Sequence, residues 1–141
     1  MATLQQLQKA IFERIGEPLP DLTGYAHLPD LVEVPAYYIE PDRQFIDYEQ
    51  AFMSGLADHH LLITMLVDKI DEEQAQKDLE PYLDPYGPFI TALRAQHVGD
   101  TLDQMSNGFV EVHFADGYGY CWDKQHQTVY YGAQIHITVR A

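Results

Sequence analysis

The stretch His60 to Asp68 reads His-Leu-Leu-Ile-Thr-Met-Leu-Val-Asp, continuously apolar between polar ends. That is the pattern of a β-strand covered on both faces, and it predicts the central strand of a sheet. The run from Leu61 to Val67 is interrupted by Thr64 and is far too short to cross a bilayer, which takes about 20 apolar residues. The chain ends on a different pattern: Ile135, Ile137 and Val139 alternate strictly with Gln134, His136, Thr138 and Arg140. One face of that strand belongs to the core and the other to water or a partner.

The remaining elements follow from caps and punctuation. Thr3 with Gln6 forms a capping box, and Leu4, Leu7, Ile11 and Ile15 recur at helical spacing until Gly16, Pro18 and Pro20 end the helix. Glu17 to Pro35 reads as an irregular connection. Ala36 to Glu40 is a short β-prone run closed by Pro41, and Arg43 to Phe52 predicts a further strand that breaks near Ser54-Gly55. Asp71 and Gln74 open a second helix with Ala75, Leu79 and Leu83 as its stripe. Pro85 and Gly87 interrupt it, and Pro88 starts a third helix running to about Gln96. Strand-forming segments return at Phe109 to Phe114, Val129 to Tyr131 and Ala133 to Val139, with Gly117-Tyr118-Gly119 as a turn or bulge. The expected fold is α+β: one domain spanning residues 1–141, with a single mixed, mainly antiparallel sheet and about three helices packed on it.

Charge narrows the function classes. With 22 acidic and 8 basic residues the formal net charge is −14, which repels nucleic acid and argues against a conventional DNA or RNA binder. The same acidity can serve solubility alone, can let DNA slide past without adhering, or can mimic DNA in another protein's basic groove. The single cysteine, Cys121, cannot form an internal disulfide and suits a reducing cytosol. The N-terminus lacks the basic and apolar regions of a secretory signal, and no membrane insertion is expected.

No catalytic centre stands out. His59 and His60 are adjacent and in a strand point to opposite faces, so they do not chelate one ion; neither a helical two-histidine motif nor a paired-cysteine knuckle occurs. Glu111, His113 and His136 could meet on paired strands as an improvised metal site, the basis of an alternative reading as a small zinc enzyme. Cys121 sits in a strand or hairpin context that favours packing over nucleophilic attack. Ser54 and Ser106 lack a nucleophile elbow, and Asp71-Glu72-Glu73 matches the negative charge that a helix start favours. The expectation is therefore a protein that is not an enzyme and takes no cofactor. Of the ten tyrosines nine, Tyr48, Tyr86, Tyr118 and Tyr130 among them, flank turns and strand ends, where an amphipathic ring can bridge core and partner or equally pack across strands within one subunit.

The segment Phe45-Ile46-Asp47-Tyr48-Glu49-Gln50-Ala51-Phe52-Met53-Ser54-Gly55-Leu56-Ala57-Asp58 resembles the tail-terminator (head-to-tail connector, or minor tail) proteins of long-tailed actinobacteriophages. The likeness continues through Leu66-Val67, Ala75-Gln76, Leu79, Tyr82-Leu83, Gly87-Pro88 and Ala92-Leu93, and closes with Gly117-Tyr118-Gly119 and Tyr131-Gly132-Ala133. The opening Ala2-Thr3-Leu4-Gln5-Gln6-Leu7 is similar as well, whereas Gly16 to Pro35 and His59-His60 depart from the family's pattern. The resemblance implies a homo-oligomeric ring of six subunits at the head-proximal end of the tail tube. Such a ring stops tube polymerisation, meets the tail-tube protein on one side and the neck (stopper) protein on the other, and passes phage DNA through its lumen without specific binding. It would be assembled in the host cytoplasm and reside in the virion. Six copies at −14 each would carry a formal charge of −84, a wall to which the phosphate backbone does not stick. Candidate interface residues are Phe45, Tyr48 and Phe52 in the Pro41 to Asp58 segment, Tyr130, and His136 and Arg140 on the polar face of the last strand. An acidic DNA-mimic inhibitor is the alternative from a different class.

Overall fold

Thr3 closes the capping box that its sequence announces. Its hydroxyl accepts from Gln6 N at 3.2 Å while Gln6 Oε1 accepts from Thr3 N at 3.0 Å, so two donors that a helix start leaves orphaned are satisfied together. The helix that follows, α1 (Leu4–Gly16), buries Leu7, Ile11 and Ile15 completely. The computed structural model describes residues 3–16, 19, 21–27, 33–48, 57–68, 71–94, 110–123 and 128–140. Its further elements are β1 (Thr23–Tyr25), β2 (Ala36–Asp47), β3 (Asp58–Asp68), α2 (Glu72–Leu83), α3 (Pro88–Arg94), β4 (Val110–Asp123) and β5 (Thr128–Arg140).

The strands form one sheet in the order β1-β2-β3-β5-β4. Only β1 and β2 run parallel; the other three pairings are antiparallel. The fold is α+β with a mixed, mainly antiparallel sheet, and β3 lies at its centre as its apolar run requires. Leu61, Ile63, Met65 and Val67 of β3 join Tyr37 and Ile39 of β2 and Ala133, Ile135, Ile137 and Val139 of β5 in one buried cluster. The helices cover that face, with Ala75 and Leu79 of α2 and Phe89, Ile90 and Leu93 of α3 joining the stripe of α1. On the opposite face no described helix packs. Thr64 and Leu66 are nonetheless buried there, whereas His60 and Leu62 are half-buried, so β3 is covered on both faces only over part of its length.

Three expectations need correction. Glu17 to Pro35 is not wholly irregular, because Thr23–Tyr25 pairs with Ala36–Tyr38. Three residues carry too little pattern to announce a strand. Pro41 does not close β2: the strand continues to Asp47, with a bulge between Pro41 and Ile46. Proline is tolerated because β1 pairs only as far as Tyr38, leaving Pro41 on an edge where its missing N–H breaks no ladder bond. The last two strands are also longer than their sequence pieces suggest, since β4 runs unbroken through Gly117-Tyr118-Gly119 and β5 through Gly132. The glycine pair does form a bulge, with Gly117 at φ 64°, Gly119 at φ 138° and the register shifting between Asp116 and Gly119. The expected break near Ser54-Gly55, Phe52, Ser54, Ser106, the start of β4 at Phe109 and the end of α3 at Gln96 all lie outside the described residues.

The second helix begins at Asp71, whose carboxylate accepts from Gln74 N at 2.7 Å. The Gln74 side chain turns forward to Asp78 at 2.9 Å and does not complete the box. No helix among the described residues is long and apolar enough to cross a membrane.

Candidate functional site

The open face of the sheet gathers polar side chains that the sequence scatters widely. His136 on β5 sits at its middle. Its Nδ1 lies 2.6 Å from Asp42 Oδ2 on β2, and its Nε2 lies 2.8 Å from Asp116 Oδ1 on β4. An ionised carboxylate only accepts hydrogen bonds, so this geometry favours a ring that donates through both nitrogens. Burial works against the charged form of the ring, but the hydrogen bonds and charges of Asp42 and Asp116 outweigh it and raise the His136 pKa above the ordinary histidine value. Asp42 moves the opposite way. Burial pushes its pKa up, yet the Arg43 backbone N–H and His136, with a smaller contribution from His60, leave it below the ordinary carboxylate value. Glu40, on the same strand, is raised by burial and by the charge of Asp42. Phe114 stacks on the His136 ring at 4.4 Å and 24°.

A second group lies toward the strand ends. The Thr138 hydroxyl is 2.8 Å from His60 Nδ1 and 2.6 Å from His113 Nε2, joining β3, β5 and β4. Arg140 binds Asp58 through two contacts, Nε to Oδ1 at 2.7 Å and Nη2 to Oδ2 at 3.2 Å, across directly paired residues of β5 and β3. The Arg140 hydrogen bonds hold the Asp58 carboxyl below its ordinary value.

These contacts bear on the sequence candidates. His136 and Arg140 do lie on the open face, but each is already tied to carboxylates of its own chain. Both His136 ring nitrogens are engaged by carboxylates, Asp42 and Asp116. Among the described residues no group of three or more His, Cys, Asp or Glu side chains, Glu111, His113 and His136 included, is placed to hold a metal ion. Tyr130 is buried within the chain.

No protein-family model matches this chain, and no curated protein matches it.

Phe45 and Tyr48 stand at the end of β2. They are 45 % and 70 % exposed there, and with Arg43, Ile46 and His60 they line a shallow depression of about 670 Å³. Across the sheet, Phe114 and Tyr118 on β4 are 57 % and 52 % exposed. Tyr118 rests edge-on against Tyr131 at 5.3 Å and borders a second groove of about 540 Å³ formed with α2. Sequence reading missed Asp42, Asp58 and Asp116 as partners and missed this second groove, because both depend on strand register. The glycine pair before and after Tyr118 was the one local signal pointing at it.

Proposed function

We propose that this chain is a ring-forming structural subunit of the phage tail-terminator type, closing the head-proximal end of a tail tube and joining it to the neck. The observation that carries the proposal is the exposed aromatic side chains on opposite rims of one sheet, Phe45 and Tyr48 at the end of β2 and, on β4, Tyr118 on the helix side with Phe114 on the open face. A closed ring is built from heterologous contacts, in which two different patches of each subunit meet, and opposite rims supply two such patches. Exposed tyrosine and phenylalanine are the side chains that anchor such contacts. The tail-terminator resemblance in Phe45 to Asp58 and in the broken helix pair around Gly87-Pro88 supports the same reading. So does the net charge of −14, which suits a lumen that DNA traverses without adhering.

The test is the mass of the full chain by light scattering, alone and mixed with tail-tube protein, followed by negative-stain imaging. Rings, or tubes of fixed length capped at one end, are expected. A monomer that leaves tube growth unaltered at every mixing ratio rejects the proposal.

A further inference from the structure

The two rims differ in charge as well as position, and the difference selects a partner. Of the eight basic residues, Arg14 is buried, Lys77 pairs with Glu73 at 3.2 Å, Arg140 is held by Asp58, and Lys69 and Lys124 lie outside the described residues. Among the described residues that leaves Lys9, Arg43 and Arg94 as exposed cations, and Arg43 lines one depression with the exposed rings of Phe45 and Tyr48 and with Asp47. The groove between α2 and β4 is its complement. It offers Glu73, Glu80 and Asp84 against Lys77, with Leu83 and the Tyr118 ring as its apolar lining. Lys77 is already engaged by Glu73, and Asp84 accepts from the Tyr86 backbone N–H at 2.9 Å, so Glu80 holds the carboxylate best placed for a new cation.

We infer that neighbouring copies meet head to tail, the Arg43–Phe45–Tyr48 tip of one copy seating in the α2–β4 groove of the next with Arg43 directed at Glu80. This rests on the ring reading above and names its contact. Two chains of charge −14 repel over most of their surfaces, so association is confined to orientations that bring a cation of one onto carboxylates of the other. The tip supplies that cation together with two rings and a single described carboxylate, Asp47, and the groove supplies three carboxylates against one lysine together with an exposed ring and a leucine. The occupant of the groove is thus a second copy of this chain.

A charge swap tests the pairing. Arg43→Glu spoils the tip and leaves the groove intact; Glu80→Arg spoils the groove and leaves the tip intact. Each variant alone should weaken self-association at least about tenfold, the loss expected for one interfacial charge pair turned repulsive. Equimolar mixing of the two should restore assembly, because each then finds a complementary surface on the other, and the double variant should recover likewise. Melting curves matching the parent establish that the variants fold. If the parent assembles and both single variants assemble equally well, or both fail and neither the mixture nor the double variant recovers, the contact is wrong while the ring reading stands. If the parent stays monomeric at every concentration the contact is overturned, and the tube experiment then decides the ring reading separately.

Discussion

At the scale of single residues, the His136 clamp couples stability to pH in a direction that can be worked out. The raised His136 pKa means that its contribution is complete below the ordinary histidine value and is lost as pH rises through the higher folded value. The lowered Asp42 pKa means that its contribution is present above the ordinary carboxylate value and is lost as pH falls through the lower folded one. The clamp is therefore strongest in mildly acidic to neutral solution. His136→Ala should cost about 1–3 kcal/mol there, the scale of hydrogen bonds to charged groups, and should flatten the decline in stability that the parent shows from about pH 6.5 upward. Urea unfolding at several pH values checks this; pH curves of parent and variant that run parallel would remove the clamp as the cause. Thr64 poses the opposite case. Its hydroxyl is buried without a hydrogen-bond partner among the described residues, and a buried unpaired hydroxyl costs about 1–3 kcal/mol. Thr64→Val keeps the shape and removes the cost, so its melting temperature should rise.

At the scale of elements, what could be read from sequence was what depends on neighbours three or four residues away. The Thr3 and Asp71 caps, the Pro88 helix start and the bulge at Gly117-Tyr118-Gly119 are all local, and each is found where its residues place it. Whether Pro41 ends a strand depends on how far a different strand, β1, extends, and nothing near Pro41 states that. The clamp was illegible for the same reason: Asp42 and Asp116 stand 94 and 20 residues from His136 in sequence, and two register shifts in β4 decide which side chains face it. The interface candidates Phe45 and Tyr48 were legible as bulky residues in a polar context, whereas the burial of Tyr130 needed the sheet. Packing between elements supports a further prediction. A Cβ at Gly132 would clash with the Met65 carbonyl oxygen on β3, so Gly132→Ala must separate the two central strands. The expected loss is about 1–3 kcal/mol, the usual cost of overpacking, visible as a lower urea midpoint. Phe89→Ala acts on the helix layer. Phe89 is fully buried and its ring meets Tyr37 at 5.6 Å and Tyr82 at 6.2 Å, so truncation should cost about 3–5 kcal/mol.

At the scale of the whole molecule, the charge of −14 acts on every encounter between copies. The repulsion is long-ranged and the attraction proposed between Arg43 and Glu80 is local, so salt acts on the two unequally. The screening length is about 30 Å at 0.01 M and about 8 Å at 0.15 M ionic strength. Raising salt over that interval removes most of the repulsion between distant carboxylates while leaving a charge pair in contact largely intact. Self-association should therefore strengthen between these two salt concentrations. Near 1 M, where the screening length falls to about 3 Å, the contact pair is itself screened, and the remaining affinity is that of Phe45 and Tyr48 against Leu83 and Tyr118. The association constant, followed by light scattering across this range, should rise and then level off or fall. A steady fall from the lowest salt would mean that attraction between opposite charges dominates already at long range, which a chain of this charge supplies only through a partner of the opposite sign. The Arg43→Glu variant separates the contributions, since its tip adds to the repulsion. Its association should climb with salt over the whole range and approach the parent only where charge has ceased to matter.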